Sequence, residues 1–218
     1  MKKWKRVGFV STRIAGTDGV SLEIEKWTAV LERNGFRCFF FSGENDRPAE
    51  KCYRVDLAHF LHPEIQKIHK QCFGTWTRSE EITRKIHRIK DHLKKQLRAF
   101  LKQFEIELLI FENALSIPLN IPLGLAATEF VAETGFPCLA HHHDFFWERK
   151  RFLVNAVNDL LAWAFPPNLP SIQHVVINSL GSYQLSFRKG LSNTIIPNVY
   201  DFASPPKPVT RRTRKELR

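Results

Sequence analysis

The chain has 218 residues, of which 43% are apolar and 25% charged, and its formal net charge is +11. This composition is typical of a soluble globular protein, and the length suits one large domain or a domain with the start of another. No apolar run approaches the ~20 residues that a membrane-spanning helix needs. The apolar run after the basic N-terminus is too short for a signal peptide, which favours a cytoplasmic location.

The positive charge is concentrated in two segments. Residues 78–102 carry nine basic and three acidic side chains, and residues 207–218 carry six and one. A solvated helix face and a basic tail explain this distribution, and the alternative is a surface that approaches phosphates of nucleic acid or of an anionic membrane. No nucleic-acid-binding motif accompanies the charge, so we expect no nucleic-acid partner, while a membrane-peripheral location stays open.

The first forty residues predict a strand, a helix and a second strand, the unit called βαβ. A strand-like run ends at Val10, and a loop of small and hydroxylated residues leads to a helix with Ser21 as its predicted N-cap. The second strand covers residues 37–41. Free N–H groups at a helix N-terminus favour an anion, although this loop lacks the glycine pattern and the lysine of common phosphate-binding loops. The expected apolar stripe of the helix consists of Leu22, Trp27, Val30 and Leu31.

Strand and helix patterns alternate along the rest of the chain, except in residues 43–78, which show no regular periodicity. This alternation predicts the α/β class, with a doubly wound, mostly parallel, Rossmann-like sheet and helices on both faces. We assign this domain to residues 1–203, and residues 204–218 to a Pro-rich linker and basic segment that lead towards a second domain. The predicted elements are a long helix capped by Ser79 and ending near Phe104, helices over 123–134, 152–163 and 183–188, and strands over 108–111, 136–140, 174–177 and 194–196.

Polar side chains gather where the predicted strands end. The carboxyl ends of parallel strands share one edge of the sheet, which is where open α/β sheets place their ligand crevice. We therefore expect five clusters to converge on one substrate-binding crevice: Thr17 and Asp18, Glu112 and Asn113, His141 to Asp144, Asn178 and Ser179, and Asn198.

The densest of these clusters is the histidine run that ends in Asp144. In an extended backbone His141 and His143 point to one side and His142 to the other. Imidazoles and a carboxylate can bind sugar hydroxyls, and the aromatic residues up to Trp147 offer flat apolar walls. A purely structural role of the histidines is the alternative. A metal site would need ligands from a second element, and since no other cluster has ligand spacing, no metal is expected.

Four segments occur in a recognisable order along nearly the whole chain. They are the loop at 11–21, His-His-His-Asp-Phe-Phe-Trp-Glu-Arg at 141–149, His-Val-Val-Ile-Asn-Ser at 174–179, and Ile-Ile-Pro-Asn-Val-Tyr-Asp-Phe at 195–202. This order resembles the N-terminal half of family-4 retaining glycosyltransferases. The last segment is the most recognisable, and in that family it leads into the second domain.

The resemblance implies a GT-B enzyme of two Rossmann-like domains. Such an enzyme moves a sugar from a nucleotide-sugar to an acceptor without a metal or other cofactor, and its first domain holds the acceptor. The expected catalytic residues are His143 and Asp144, at the position that contacts the transferred sugar. The other matching residues are Gly16, Thr17, Asp18 and Gly19 for the loop near the donor phosphates, and Asn198 for the hinge.

The sequence departs from that family because the second Rossmann-like domain is missing. The basic residues that neutralise the leaving phosphate belong to that domain. We therefore expect an acceptor-side half that is inactive or nearly so alone, either a truncated product or one half of a split enzyme. Its partners would be a sugar acceptor and a nucleotide-sugar shared with the missing domain or a partner chain. The alternative is a non-catalytic module that binds an acceptor or a partner protein.

Overall fold

The computed structural model describes residues 5–198, which form a parallel sheet of seven strands in the order β3-β2-β1-β4-β5-β6-β7. This confirms the predicted doubly wound α/β fold. The two outermost strands are the shortest, with three residues each. The strands are β1 (Arg6–Val10), β2 (Arg37–Ser42), β3 (Cys52–Arg54), β4 (Leu108–Glu112), β5 (Cys138–His142), β6 (Ile172–Val176) and β7 (Asn193–Ile195).

Six α-helices of the described residues flank the sheet on both faces. Helix α1 covers one face, where its Ile24 packs on Phe9 and Phe40. Helices α2 to α5 cover the opposite face, which carries Phe41 and Phe111 and holds most of the buried core. The helices are α1 (Gly19–Arg33), α2 (Pro63–Cys72), α3 (Glu80–Phe104), α4 (Ile121–Thr134), α5 (Asn158–Ala164) and α6 (Ser179–Lys189).

The start of α1 differs from the prediction. Asp18, not Ser21, is the N-cap, and its carboxylate accepts hydrogen bonds from the N–H groups of Val20 and Ser21, both at 3.1 Å. Asp caps a helix as well as Ser does, so the helix begins three residues earlier than predicted. The side chains packed towards the sheet are Val20, Ile24, Trp27 and Leu31, whereas Leu22 and Val30 are exposed.

The expectation of an irregular segment over residues 43–78 is wrong. This segment contains β3 and the ten-residue helix α2, whose N-cap is His62 and whose first turn contains Pro63. Ile65 and Ile68 of α2 are buried against the main core. Two apolar residues and one cysteine are too few to make a helical period visible in the sequence.

Helix α5 begins at Asn158, six residues later than predicted. The side chain of Asn155 donates to the carbonyl of Phe152 and accepts from the N–H of Val157, both at 3.0 Å. Such local side-chain bonds compete with the helical ladder. They hold residues 153–157 outside the helix.

The fourth predicted strand is shifted by two residues. It was expected over 136–140, but β5 runs from Cys138 to His142 and pairs with β4 and β6 on its two sides. The first two histidines therefore lie inside the sheet, with His141 beside Glu112 and His142 beside Val176.

Helix α3 is capped by Ser79 as predicted, and much of its positive charge is paired locally. Lys94 contacts both Glu129 and Glu133 of α4, and Arg98 donates to Glu133 at 2.7 Å. The basic face is thus partly neutralised by the neighbouring helix. No helix in the described part of the chain is both long and apolar enough to cross a lipid bilayer.

The predicted linker and basic segment at 204–218, and the domain boundary at 203, lie outside the described residues. Asn198, the expected hinge residue, is the last described position.

Candidate functional site

A cleft of about 200 Å³ opens where the carboxyl ends of β1 and β4 meet. The strand order reverses at this point, and open α/β sheets bind their ligands at such a reversal. Pockets for small ligands usually measure roughly 300–1,000 Å³, so this cleft has the size of one part of a binding site. Asp18, Glu112 and Asn113, all predicted as binding residues, line it.

Sequence reasoning missed several residues of the cleft lining. Ser11 and Thr12 follow β1 directly, so their place at a strand end was a usable signal, whereas Phe60 lies in the segment that was taken as irregular. Arg13 is held by two carboxylates: its Nε donates to Glu44 at 3.0 Å, and its Nη1 lies 3.7 Å from Asp18. The missed residues are Ser11, Thr12, Arg13, Val20, Phe60, Ala114 and Leu119.

The loop over residues 16–19 lies exposed at the mouth of the cleft. Gly16 has a φ of +74°, which favours glycine, and its N–H donates to Asp46 at 2.7 Å. Asp18 accepts from two N–H groups of the first turn of α1. These carboxylates occupy three of the backbone donors that an anion would use.

The centre of the site is a buried cluster of Glu112, His141 and His143. Glu112 and His141 are fully buried and directly paired across β4 and β5, with His141 Nδ1 3.0 Å from Glu112 Oε2. His143 Nε2 lies 3.4 Å from the same oxygen. Trp27 of α1 packs on the His141 ring, with the centroids 4.7 Å apart. Burial raises the pKa of Glu112, but its contacts with the two imidazoles outweigh this, and the net pKa lies below the ordinary value.

Asn113 connects this cluster to Asp144. Its N–H donates to the carbonyl of His141 at 2.9 Å, its Oδ1 accepts from the N–H of His143 at 3.2 Å, and its Nδ2 donates to Asp144 Oδ1 at 3.0 Å. The backbone of Asn113 is left-handed, with a φ of 55°, which asparagine tolerates better than most residues. The other carboxylate oxygen of Asp144 contacts Arg149. One residue therefore fixes the backbone of His143 and the carboxylate of Asp144 relative to the sheet.

His142 points to the opposite face of the sheet, as the alternation predicted. It is 1% exposed, its Nδ1 contacts Ser116 Oγ, and its Nε2 lies 2.9 Å from His174 Nδ1. Both ring nitrogens are thus engaged inside the protein. Burial and the neighbouring histidines keep the pKa of His142 well below its ordinary value. Sequence reasoning missed Ser116 and His174 as its partners.

The remaining predicted residues lie further along the same edge. Trp147 stacks on Phe145 with the centroids 4.6 Å apart, and its Nε1 donates to Gln184 at 2.7 Å. Asn178 caps α6 by accepting from the N–H of Gly181 at 2.7 Å. Asn178, Ser179 and Asn198 are exposed, and none of them lines the cleft.

The fold and the cleft define an α/β protein of the Rossmann-like class with a ligand crevice at the reversal of strand order. No protein-family model matches the chain. The chain is 33% identical over 230 residues to the mannosylglucosylglycerate synthase of Thermotoga maritima, a match that covers 97% of this chain and 49% of that protein. It is 30% identical over 208 residues to the protein of the same name from Petrotoga mobilis, covering 90% of this chain and 45% of that protein. The chain spans about half the length of the curated relatives it matches.

Proposed function

We propose that the chain is the acceptor-side half of a retaining, nucleotide-sugar-dependent glycosyltransferase of the GT-B type, as family-4 members are. The observation that carries the proposal is the similarity to two proteins named as sugar-joining synthases, which extends over nearly the whole chain. The crevice at the reversal of strand order supports it, because that is where such a half would bind its ligand. We propose that this reaction takes place in the cytoplasm.

Within this proposal the cleft residues bind the acceptor. The name of the two relatives describes a product that joins mannosyl and glucosyl units to glycerate, a small hydroxy acid. We take a sugar acceptor of that kind, a glucosylglycerate, as the first one to test. Asp18 and Asn113 offer it hydrogen-bonding groups at the cleft, which Glu112 borders with a fully buried side chain. The exposed loop over 16–19 faces the donor.

His143 and Asp144 are the proposed catalytic residues, because they would contact the sugar during its transfer. The side chain of His143 is 12% exposed, whereas those of His141 and Glu112 are fully buried, so His143 is the imidazole of this face that a ligand can reach. Asn113 acts as a positioning residue for both. The transfer needs no metal or other cofactor, and the nucleotide-sugar is a co-substrate.

The described residues of the cleft are poorly equipped to stabilise a leaving diphosphate. Among the residues that the structure describes, Arg13 is the one cation that lines the cleft, and two carboxylates already hold it. Charge that develops on the leaving group must be neutralised by positioned donors or cations for transfer to be fast. A second domain or a partner chain would supply them, so the 218 residues by themselves would be inactive or nearly so.

The test measures acceptor binding and sugar transfer separately. Calorimetric titration of the 218-residue chain with glucosylglycerate is expected to show binding, weakened at least tenfold by Asn113→Gly. The chain alone is expected to transfer no sugar from a panel of nucleotide-sugars. A chimera that adds the C-terminal half of the Thermotoga maritima relative is expected to transfer mannose.

In the chimera, His143→Ala is expected to lower kcat by 100-fold or more, a typical loss for a group that acts in the transition state. His87→Ala is the matched control, because His87 is exposed on α3, away from the cleft. Sustained transfer by the 218-residue chain alone would refute the half-enzyme proposal. An unchanged kcat in the His143→Ala chimera would refute the role of His143.

A second candidate function is a non-catalytic module that binds a partner protein. It is favoured by an apolar stripe on α6, where Leu180, Tyr183 and Phe187 are 61%, 61% and 74% exposed. Exposed apolar patches of this kind mark interaction surfaces. This alternative predicts that the chimera stays inactive with every donor, and that Phe187→Ser changes partner binding without changing acceptor binding.

A further inference from the structure

The cluster of Glu112, His141 and His143 has the composition of a metal site. Two imidazoles and one carboxylate are a common donor set for zinc and related divalent transition metals. The sequence offered no ligand for the histidines from a second element, but β4 supplies Glu112 beside β5. We propose that these three residues bind one divalent transition-metal cation, with zinc as the best fit.

The distances between the donor atoms suit a common ion. Glu112 Oε2 lies 3.0 Å from His141 Nδ1 and 3.4 Å from His143 Nε2, and one ligand atom from each residue lies within 4.8 Å of the others. Four-coordinate zinc with bonds of about 2.0–2.1 Å separates its ligands by roughly 3.3 Å. The two contacts of Glu112 Oε2, at 3.0 and 3.4 Å, are close to this separation.

The hydrogen bonding of the cluster is incomplete. His143 Nε2 is buried and close to Glu112 Oε2, yet it forms no hydrogen bond, and His141 Nε2 is also buried without a partner. A buried polar atom without a partner costs about 1–3 kcal/mol, so such atoms are rare without a reason. A cation bound to His143 Nε2, His141 Nδ1 and Glu112 would satisfy the first of these nitrogens and neutralise the buried carboxylate.

The surroundings of the cluster fit a cation. Trp27 packs on the His141 ring and Asn113 holds the backbone amide of His143, so one ring is oriented by packing and the backbone of the other ligand is fixed. Glu112 also borders the cleft although its side chain is fully buried, so the cluster lies directly behind the cleft wall. Magnesium and calcium are disfavoured because they prefer sites built from oxygen ligands.

This inference goes beyond the proposed function and does not rest on it. The proposed cation binds Nε2 of His143, which is buried beside Glu112. A sugar contact of the same ring would therefore use its other nitrogen, Nδ1.

The test titrates the chelator-treated 218-residue chain with zinc chloride, without sugar or nucleotide. One zinc ion per chain is expected, with at least tenfold weaker binding in His143→Ala and in Glu112→Gln, and unchanged binding in His87→Ala. Cobalt(II) is expected to give the visible absorption bands of a tetrahedral site, which His143→Ala abolishes. Binding is expected to weaken from pH 7.5 to about 5.5, because protonated imidazoles do not bind metals.

His143 is partly exposed, so its alanine variant is expected to fold, and circular dichroism checks each variant. Absence of zinc binding by the intact chain, or equal affinity in His143→Ala, would overturn the inference. Either result leaves the glycosyltransferase proposal unaffected, because that proposal is tested by acceptor binding and sugar transfer.

Discussion

Neighbouring histidines at the end of β5 lie in two different environments. On the α1 face, His141 and His143 gather around Glu112 beside the cleft. On the opposite face, His142 is enclosed with Ser116 and His174. The period of two in a strand separates the two groups, and the open position of His143 contrasts with the complete enclosure of His142. Identical side chains thus differ in role because of the face on which the strand presents them.

The largest expected effect is on stability, and it separates His142 from His143. His142→Ala leaves a cavity and removes a partner from both Ser116 and His174, so we expect a loss of about 3 kcal/mol in the free energy of unfolding. His143→Ala is expected to cost less, about 1 kcal/mol, because this side chain is partly exposed and its contact with Glu112, at 3.4 Å, is long. Urea unfolding of the two variants measures the difference, and equal losses would contradict the comparison.

The buried pair of His142 and His174, on the face opposite α1, is also expected to make the protein less stable in acid. Burial, helped by the charge of Lys189, lowers the pKa of His174 from 6.5 to about 4. Between these two values the unfolded chain binds more protons than the folded chain, so stability falls as the pH falls from 6.5 towards 4. The shift corresponds to about 3 kcal/mol.

His174→Gln is the variant that isolates this effect, because it removes the titrating ring. Its free energy of unfolding is expected to depend less steeply on pH between 6.5 and about 4.5. A slope equal to that of the original chain would show that other groups cause the acid sensitivity.

A smaller effect is expected at Asn113, which joins the α1-face cluster to Asp144. Asn113→Gly keeps the left-handed backbone and removes two side-chain hydrogen bonds, at a cost of about 1–2 kcal/mol. Asn113→Ala removes the same bonds and adds the strain of a Cβ at a φ of 55°, so it is expected to be about 1 kcal/mol less stable again. Thermal unfolding of the pair separates backbone strain from lost contacts. Equal stabilities would rule out strain at this position.

The smallest effect is expected at Arg149, which contacts Asp144 at the rim of the site. Its side chain is 43% exposed, and exposed ion pairs contribute about 0–1 kcal/mol. Arg149→Ala is therefore expected to change the urea midpoint little, and less in high salt than in low salt. A loss of unfolding free energy as large as that of His142→Ala would contradict this. It would mean that the contact between Arg149 and Asp144 stabilises the protein as much as the buried contacts of His142 do.

The sequence predicted the alternation of the histidines and the edge on which they lie, because both follow from the geometry of a parallel strand. It placed Glu112 in the same crevice but did not predict that Glu112 pairs with His141. Glu112 is 29 residues from His141, and their contact depends on β4 lying beside β5 in one register, which the local pattern does not encode. Ser116 and His174 were not predicted as partners of His142 for the same reason.

Local competition explains the other differences. Ser21 was predicted as the N-cap of α1, but the cap is Asp18, because both residue types suit that position. Helix α2 was missed because ten mostly polar residues give a weak periodic signal. The sheet itself was predicted well since its strands are continuous apolar runs, as expected when both faces are covered.

The short outer strands bear on how the protein behaves at high concentration. Strands β3 and β7 have three residues each, so each edge of the described sheet offers few unpaired backbone groups to a neighbouring molecule. A second copy that approached an edge would gain few hydrogen bonds and would not extend the sheet. Self-association by addition of a strand to the described sheet is therefore disfavoured, and we expect assembly through the described residues to use side-chain surfaces instead.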